Sequence, residues 1–273
     1  MKPAILIPTI LLIYIISSPA LFSQTPAEMA PETDPAALEI IAKAEAKLYS
    51  PLREGLKSLK FIQQFGLDRA KRMYWFKAPD KKKSVFGVPP EEQDDRPGIK
   101  RAIYVESRVK DIVTSKNLGW VLGTPISCFK PYGTFIIVHQ DQKGAQIRFT
   151  AVADDILNLV WTHIDFYFDE EFRLTKIHER FSSEGQLEEH RIELKPYKEG
   201  AELLVFDTIN TIAGTAKSQH VMLSKFHYSE VDSYCFMSHI DRELKQEKKK
   251  IKDKYFKYQV NPAIDDSEFE KKE

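Results

Sequence analysis

The chain has 273 residues, with 40 basic and 40 acidic side chains, so its formal net charge is zero at pH 7. Broad nucleic-acid binding requires a concentrated excess of lysine and arginine, and this balance argues against it. The length suits one large domain of all-β or α+β class, or two small ones.

The N-terminus has the pattern of a secretory signal. Lys2 precedes an apolar stretch over residues 4–16, and small residues follow it up to Ala20. The stretch is shorter than the ~20 residues that span a bilayer, so we expect cleavage after Ala20 or Ser23, with an uncleaved anchor as the alternative. The predicted organisation is a signal peptide over residues 1–23, a linker over 24–33 and a single exported domain over 34–273, without a transmembrane span in the mature chain.

The chain has two cysteines, Cys128 and Cys235. In an exported protein they can form one disulfide. They can equally remain two buried thiols, because the sequence does not give the distance between them. Neither lies near the end of the signal, so a lipid anchor is not expected.

The predicted elements are one helix followed by many strands. Asp34 and Pro35 suit the cap and first position of a helix, which apolar residues at three- and four-residue spacing extend to about Ser50. The hydrophobic period then changes to two. It predicts strands over residues 59–65, 73–77, 103–109, 135–139, 147–150, 157–168, 174–181, 188–194, 203–207, 220–228, 235–240 and 255–260. Short polar turns, including one at residues 183–185, indicate an antiparallel meander.

Three segments interrupt this alternation. Residues 89–98 are rich in proline and charge and predict an exposed loop. Residues 118–132 are apolar but irregular, and we expect them to pack as a loop or short helix over the sheet. Residues 241–254 are strongly charged and predict a solvated helix face or a long hairpin.

A large sheet with one helix requires cover on one sheet face. The predicted fold class is α+β, mostly antiparallel β. We expect a curved, unclosed barrel, or half-barrel, with an N-terminal helix and a helical or loop lid over an apolar cavity.

Three sequence segments carry a family resemblance. Residues 57–63 read Lys-Ser-Leu-Lys-Phe-Ile-Gln, residues 74–79 read Tyr-Trp-Phe-Lys-Ala-Pro, and residues 258–269 read Tyr-Gln-Val-Asn-Pro-Ala-Ile-Asp-Asp-Ser-Glu-Phe. In this order they resemble landmarks of the LolA-like outer-membrane lipoprotein-sorting superfamily, the periplasmic lipoprotein carriers. One position departs from that family: an arginine that bonds the lid precedes the proline there, and Ala78 occupies its place here. Lys77 points to the opposite face of the strand and does not replace that arginine.

The resemblance implies a periplasmic chaperone that carries the acyl chains of lipoproteins across the periplasm for outer-membrane sorting. Its partners would be an acylated lipoprotein or lipid, together with inner- and outer-membrane proteins. Its cavity would shield acyl chains, which are costly to expose at about 0.8 kcal/mol per CH₂. The alternative is a non-transporting envelope sensor or binding module on the same scaffold, which recognises a lipid or a protein.

Aromatic and branched residues on the strands and in the irregular segment are the candidates for contact with an acyl chain. They are Phe61, Phe65, Trp75, Trp120, Ile137, Ile164, Phe166 and Phe168. The alternative for each is a place in an ordinary packed core, because alternation does not distinguish a cavity from a filled interior.

Enzymatic motifs are weak in this sequence. The seven histidines are scattered over predicted strands. His178 and His190 could face each other across the hairpin at residues 183–185, but no third or fourth metal ligand has a recognisable spacing. Nucleophile-elbow, phosphate-loop and zinc-protease motifs are missing from the sequence. We therefore expect a non-enzymatic protein with neither metal nor cofactor.

Overall fold

The computed structural model describes residues 32–66, 71–79, 81–86, 109–151, 161–181, 187–215 and 218–269. The predicted signal, the proline-rich loop at 89–98, most of the predicted strand at 103–109 and the turn at 183–185 lie outside these ranges. Within them, no helix combines the length and the apolar character that a membrane span requires.

The strands of the described chain form a single antiparallel sheet. They are β1 Ser58–Gln64, β2 Lys71–Lys77, β3 Lys81–Phe86, β4 Gly133–Asp141, β5 Gly144–Ala151, β6 Trp161–Asp169, β7 Leu174–Phe181, β8 Leu187–Pro196, β9 Leu204–Thr215, β10 Ser218–Val231, β11 Tyr234–Leu244 and β12 Lys249–Val260. Their order is β3-β2-β1-β12-β11-β10-β9-β8-β7-β6-β5-β4, so β3 and β4 form the two edges of the described sheet. This curved, unclosed sheet confirms the predicted half-barrel.

In the described part of the chain, two α-helices accompany the sheet: α1 Pro35–Ala46 and α2 Val109–Leu122. As predicted, Asp34 caps α1, because its Oδ1 accepts the N–H of Ala36 at 2.8 Å. The helix ends about one turn before Ser50. The chain leaves it to bond with β9: the N–H of Tyr49 donates to the carbonyl of Leu204 at 2.7 Å.

Residues 118–132 supply part of the helical cover that was expected over the sheet. They contain the end of α2 and a short 3₁₀ helix, Ser127–Tyr132. The predicted strand at 103–109 is wrong at its last residue, because Val109 begins α2. Of the two structures predicted for residues 241–254, the long hairpin is correct. Asp241 continues β11, and Lys250 to Lys254 in β12 alternate between exposed lysines and buried Ile251 and Asp253.

Most buried apolar residues of the strands lie on one face of the sheet, which we call the inner face; it carries Phe149, Phe166 and Phe226. The first core cluster joins this face to α1, Ile112 of α2 and Phe129 of the 3₁₀ helix. A second cluster lies where β1, β2 and β11 meet the other flank of α2, and it contains Leu59, Phe61, Tyr74, Phe76, Leu118, Val121, Leu122 and Phe236. The two clusters place α2 in the interior of the fold, between the two groups of strands.

The C-terminal tail is an ordered cap, as its Asn-Pro sequence indicates. Asn261 has a positive φ of 48°, and its Oδ1 accepts the N–H of Lys57 at 2.7 Å and of Ser58 at 3.2 Å. The tail then ends in a 3₁₀ helix, Asp266–Phe269. Lys77 Nζ lies 2.6 Å from Asp266 Oδ1 and donates to the carbonyl of Ile264 at 3.0 Å. Lys77 is therefore committed to the tail and does not serve as a lid contact.

Asn261→Ala is expected to lower the free energy of unfolding by about 1–2 kcal/mol. The change removes two hydrogen bonds and replaces a residue that tolerates positive φ with one that does not. Urea denaturation measures the effect. Asn261→Asp is the matched control, because it keeps the acceptor oxygen and the tolerance of positive φ. Equal stability of the two variants would contradict this role for Asn261.

Candidate functional site

Helix α2 is the central part of the cover over the inner face. Ile112 is fully buried in the first core cluster, and Trp120 packs at the edge of that cluster with its ring 4.5 Å from the ring of Phe206. Leu118 and Val121 face the second cluster. The helix is therefore enclosed on both flanks.

Polar side chains also fix α2 to its surroundings. Successive residues bond to separate elements: Thr114 Oγ1 to Ser84 Oγ of β3 at 2.6 Å, Ser115 Oγ to Tyr132 Oη of the 3₁₀ helix at 2.8 Å, and Asn117 Nδ2 to Tyr74 Oη of β2 at 2.9 Å. Thr114 and Ser115 are each 1% exposed. Polar contacts thus hold the middle of a helix that lies against an apolar sheet face.

The strongest of these contacts is an ion cluster that we call the α2 bridge: Lys116, Glu179 and His190. Lys116 Nζ lies 2.5 and 2.7 Å from the two carboxylate oxygens of Glu179 on β7. His190 Nε2 on β8 lies 3.2 Å from Glu179 Oε1, and its Nδ1 bonds Thr211 Oγ1 at 3.0 Å. The Glu179 side chain is only 3% exposed. A charged pair therefore joins α2 to the inner face inside the fold.

The bridge determines the charge state of its carboxylate. Burial alone would raise the pKa of Glu179, but the Lys116 ammonium and the contact with His190 more than offset it, so the pKa lies well below its ordinary value. Glu188 is the cross-strand neighbour of Glu179. Burial, and then the charge of Glu179, raise the pKa of Glu188. Glu179 is therefore a buried carboxylate that remains ionised because α2 supplies its partner.

Further contacts tie α1, α2 and the 3₁₀ helix into one cover. The Glu45 carboxylate of α1 accepts the N–H groups of Ile126 and Ser127, each at 2.8 Å, while burial raises its pKa. Ser50 Oγ donates to the carbonyl of Leu122 at 2.7 Å, where α2 ends. The three helical segments are thus connected to one another as well as to the sheet.

Only a small void separates the cover from the inner face at the α2 bridge. Its volume is about 10 Å³, room for about one water molecule. It is lined by Lys116, Trp120, Pro125, Phe129, Ile164, Phe166, Ile177 and Glu179. In this arrangement the cover fills the space that an acyl chain would need at this position.

The predicted acyl-contact residues fall into three groups. Ile164, Phe166 and Phe168 are buried in the first core cluster, with Trp120 and Ile137 packed against it. Phe61 is buried in the second cluster.

Trp75 and Phe65 belong to neither cluster. Trp75 alternates with buried Tyr74 and Phe76, so it lies on the outer face of the sheet, opposite Lys60 and Lys83 in the register. Phe65 is half-buried just after β1, with the Arg72 guanidinium 6.0 Å from its ring.

The α2 bridge was not predicted from the sequence. Glu179 alternates in phase with buried Ile177, so a carboxylate at an inward position of β7 was the available signal. His178 and His190, which the sequence allowed to face each other, are not cross-strand partners: the register places His190 opposite Ile177 and His178 opposite Glu189. His178 instead lies 2.9 Å from Glu189 Oε2.

The cysteines are both free. Cys128 lies in the 3₁₀ helix and Cys235 on β11. Cys128 packs closely on α2: a Cβ added to Gly119 would lie 2.7 Å from the Cys128 sulfur and 2.7 Å from the carbonyl oxygen of Thr124. Of the two states left open by the sequence, the structure has the unpaired thiols, and one of them helps to pack the cover.

Several solved structures are similar to this chain. A LolA superfamily protein from Nitrosomonas europaea has 10% identity and a TM-score of 0.40, over 86% of this chain and 97% of that one. An outer-membrane lipoprotein-sorting protein domain from Vibrio parahaemolyticus has 13% identity and a TM-score of 0.38, and the match covers 86% of this chain and 96% of that one. A DUF1329 family protein from Desulfovibrio piger has 8% identity and a TM-score of 0.35, and the match covers 87% of this chain and 98% of that one. No protein-family model and no curated protein matches the sequence.

Proposed function

We propose that this protein binds an acyl chain of a lipoprotein or lipid between the inner face of its half-barrel and the helical cover. One observation carries the proposal: α2 covers an apolar sheet face but is held there by the α2 bridge and by the polar contacts of Thr114, Ser115 and Asn117. Polar contacts of this kind can be exchanged for water when the helix moves. The residues proposed to meet the acyl chain are Phe61, Trp120, Ile137, Ile164, Phe166 and Phe168.

The free energy needed to move α2 away and the free energy gained by burying an acyl chain are of similar size. Moving α2 away exposes Ile112, Leu118, Trp120, Val121 and Leu122. At about 1.5–3 kcal/mol per side chain, this costs on the order of 10 kcal/mol. An acyl chain of about fifteen methylenes gains roughly 12 kcal/mol on burial, at about 0.8 kcal/mol each. The ligand therefore offsets the cost of opening, whereas the cover stays closed without it.

The proposed setting is the periplasm, after removal of the signal over residues 1–23, with the linker over 24–33 leading into one domain over 34–273. The role is non-enzymatic shielding and transport of acylated lipoproteins between inner- and outer-membrane partners. This is the role that the sequence resemblance implies.

A second candidate is a non-transporting sensor or binding module of the cell envelope. The close packing of the cover at the α2 bridge favours it, because the void at that position has room for only about one water molecule. Such a module would use the half-barrel as a rigid support for a protein or lipid partner, and it would not exchange a lipid between membranes.

A cysteine staple between α2 and β3 tests the carrier. Ser84 and Thr114 share a buried hydrogen bond at 2.6 Å, so Ser84→Cys with Thr114→Cys places two thiols at this contact. The staple is built in a Cys128→Ser, Cys235→Ser background. The probe is a dansyl-labelled fatty acid, measured by fluorescence titration and by transfer between phosphatidylethanolamine/phosphatidylglycerol vesicles. We expect the reduced protein to bind and transfer the probe, and the oxidised protein to lose at least about tenfold in affinity, because a locked cover keeps the binding state unpopulated.

The reduced form of the same variant is the matched control for the substitutions. A second control staple, Thr208→Cys with Lys225→Cys, links partner positions of β9 and β10 and leaves α2 free. Equal binding by the oxidised and reduced forms of the α2 staple would overturn entry beneath α2. Failure of the reduced protein to bind the probe would overturn acyl binding, and binding without transfer would favour the sensor.

A further inference from the structure

A cluster of two histidines and one aspartate lies on the outer face of the sheet, away from the α2 bridge. His227 of β10 and His239 of β11 are cross-strand partners, and their rings stack with centroids 4.1 Å apart. Asp241 follows two residues after His239, on the same face of β11. The alternate residues Phe226 and Ile240 are buried on the inner face. The sheet therefore presents three metal-ligating side chains together at one outer position.

The spacing of their ligand atoms suits a small divalent metal. His227 Nε2 lies 3.1 Å from Asp241 Oδ2, and His239 Nε2 lies 3.7 Å from the same oxygen. One ligand atom from each of the three residues lies within 4.8 Å of the others. Tetrahedral Zn²⁺ with bonds of about 2.0–2.1 Å separates its ligand atoms by about 3.3 Å. The two rings lie within 9° of parallel, so both imidazoles must rotate before their Nε2 atoms point at one ion.

One atom of the cluster is unsatisfied. The His227 side chain is 33% exposed, but its Nε2 atom is buried and has no hydrogen-bond partner among the described residues, although the Asp241 carboxylate is 3.1 Å away. The orientation of the two groups is therefore unsuited to a hydrogen bond. Buried polar atoms in native proteins nearly always have a partner, so an orphaned imidazole nitrogen facing a carboxylate requires a reason. A cation between them supplies one, because both atoms donate electron pairs to a metal.

Neighbouring groups hold the other two ligands in a suitable orientation. Ser238 Oγ lies 3.1 Å from Nδ1 of His239. When Nδ1–H donates to this hydroxyl, Nε2 carries the lone pair that a metal requires. Lys252 Nζ lies 3.3 Å from Asp241 Oδ1, which leaves Oδ2 toward the histidines. Ligand-orienting contacts of this kind are typical of metal sites in proteins.

A second cluster, Glu179, Glu188 and His190, also has ligand atoms within 4.8 Å. There, however, the Lys116 ammonium lies 2.5 and 2.7 Å from the two Glu179 oxygens and already supplies the cation. At the outer cluster, the described lysine that contacts a ligand residue is Lys252, and it lies on Oδ1 of Asp241, the oxygen that does not face the histidines. This difference favours the outer cluster as the metal site.

We propose that His227, His239 and Asp241 bind a divalent transition metal of the Zn²⁺ class. Two imidazoles and one carboxylate are a ligand set that Zn²⁺ accepts, with a fourth position for water or for a ligand from a partner. The ion joins β10 to β11 on the outer face, so its binding is independent of acyl-chain binding beneath α2.

Isothermal titration calorimetry of the metal-free mature protein with ZnCl₂ tests the site. We expect one Zn²⁺ per chain and a loss of at least about tenfold in affinity for both His227→Ala and His239→Ala. His139→Ala is the matched control, because His139 Nε2 lies 3.2 Å from Asp141 Oδ2 on β4 in a similar His-x-Asp pair that lacks a second histidine. This variant should bind Zn²⁺ like the parent protein.

The absorption spectrum of the Co²⁺-substituted protein gives a second readout that reports ligand type and geometry. Asp241→Asn is a further variant that keeps the shape of the side chain, and circular dichroism in the presence of EDTA checks that each variant is folded. Failure of the parent protein to bind Zn²⁺, or affinity unchanged in folded His227→Ala and His239→Ala, would overturn the proposal. Equal losses in His139→Ala would also overturn it.

Discussion

Lys116→Met is expected to lower the free energy of unfolding by about 3 kcal/mol. The change keeps the aliphatic part of the side chain but removes the ammonium, and so leaves the Glu179 carboxylate, which is 3% exposed, without its main partner. Removal of one member of a buried ion pair typically costs about 3–5 kcal/mol. We expect the lower end of this range because His190 still contacts Glu179. Urea denaturation of the parent and variant proteins measures the difference.

Two further variants separate the loss of the pair from other effects of the substitution. Lys43→Met removes a lysine from an exposed pair with Glu39 on α1, and should change stability by no more than about 0.5 kcal/mol. The double variant Lys116→Met, Glu179→Met replaces the whole pair with apolar groups, and should recover most of the lost stability. If the double variant were as unstable as Lys116→Met alone, the cost would not arise from an unpaired buried carboxylate.

The α2 bridge also predicts how stability depends on pH. The pKa of Glu179 is lower in the folded protein than its ordinary value of 4.5. The unfolded chain therefore takes up a proton first as the pH falls. The stabilisation is fully present above pH 4.5 and is lost progressively below it. In Glu179→Gln this part of the pH dependence should disappear, so its stability should fall less steeply than that of the parent protein between pH 5 and pH 3.

Much of the fold could be predicted because its strands obey a simple alternation. In β5 every second residue from Ala145 to Phe149 is buried, and the Asn-Pro tail ends the last strand as expected. Helix α2 was harder to predict because it is enclosed on several sides. Its middle carries consecutive polar residues, each with a different partner, so it lacks the single apolar stripe that identifies a surface helix.

The outer cluster and the α2 bridge both depend on strand register and helix placement, which could not be predicted from the sequence. His227 faces His239 because the pairing of β10 and β11 shifts by one residue just after His227, and an irregularity of this kind reverses the faces of all later residues. The α2 bridge likewise requires Lys116 to meet a strand residue that is 63 positions away. The sequence of β7 shows a carboxylate, Glu179, at an inward position that is otherwise apolar. Its partner Lys116 could not be predicted, because the contact depends on how α2 crosses the sheet.

Phe166→Ala is expected to have the largest effect of any single change in the predicted acyl-contact set, at about 3–5 kcal/mol. Phe166 is 1% exposed, and its ring packs 6.2 Å from that of Phe129 in the cover and 6.5 Å from that of Phe135. Trp75→Ala is the matched aromatic control. Trp75 is half-buried on the outer face, so its loss should cost about 1 kcal/mol. Urea denaturation measures both variants.

The same pair of variants relates the packed core to the proposed function. Phe166 packs against the cover in the closed form and would contact the acyl chain in the open form, so Phe166→Ala removes contacts from both states. Its affinity for the dansyl-labelled fatty acid should therefore fall less than its stability does, whereas Trp75→Ala should leave the affinity unchanged. An equal loss of stability in the two variants would contradict the assignment of inner and outer faces. A loss of probe affinity in Trp75→Ala alone would place the acyl chain on the outer face instead of beneath α2.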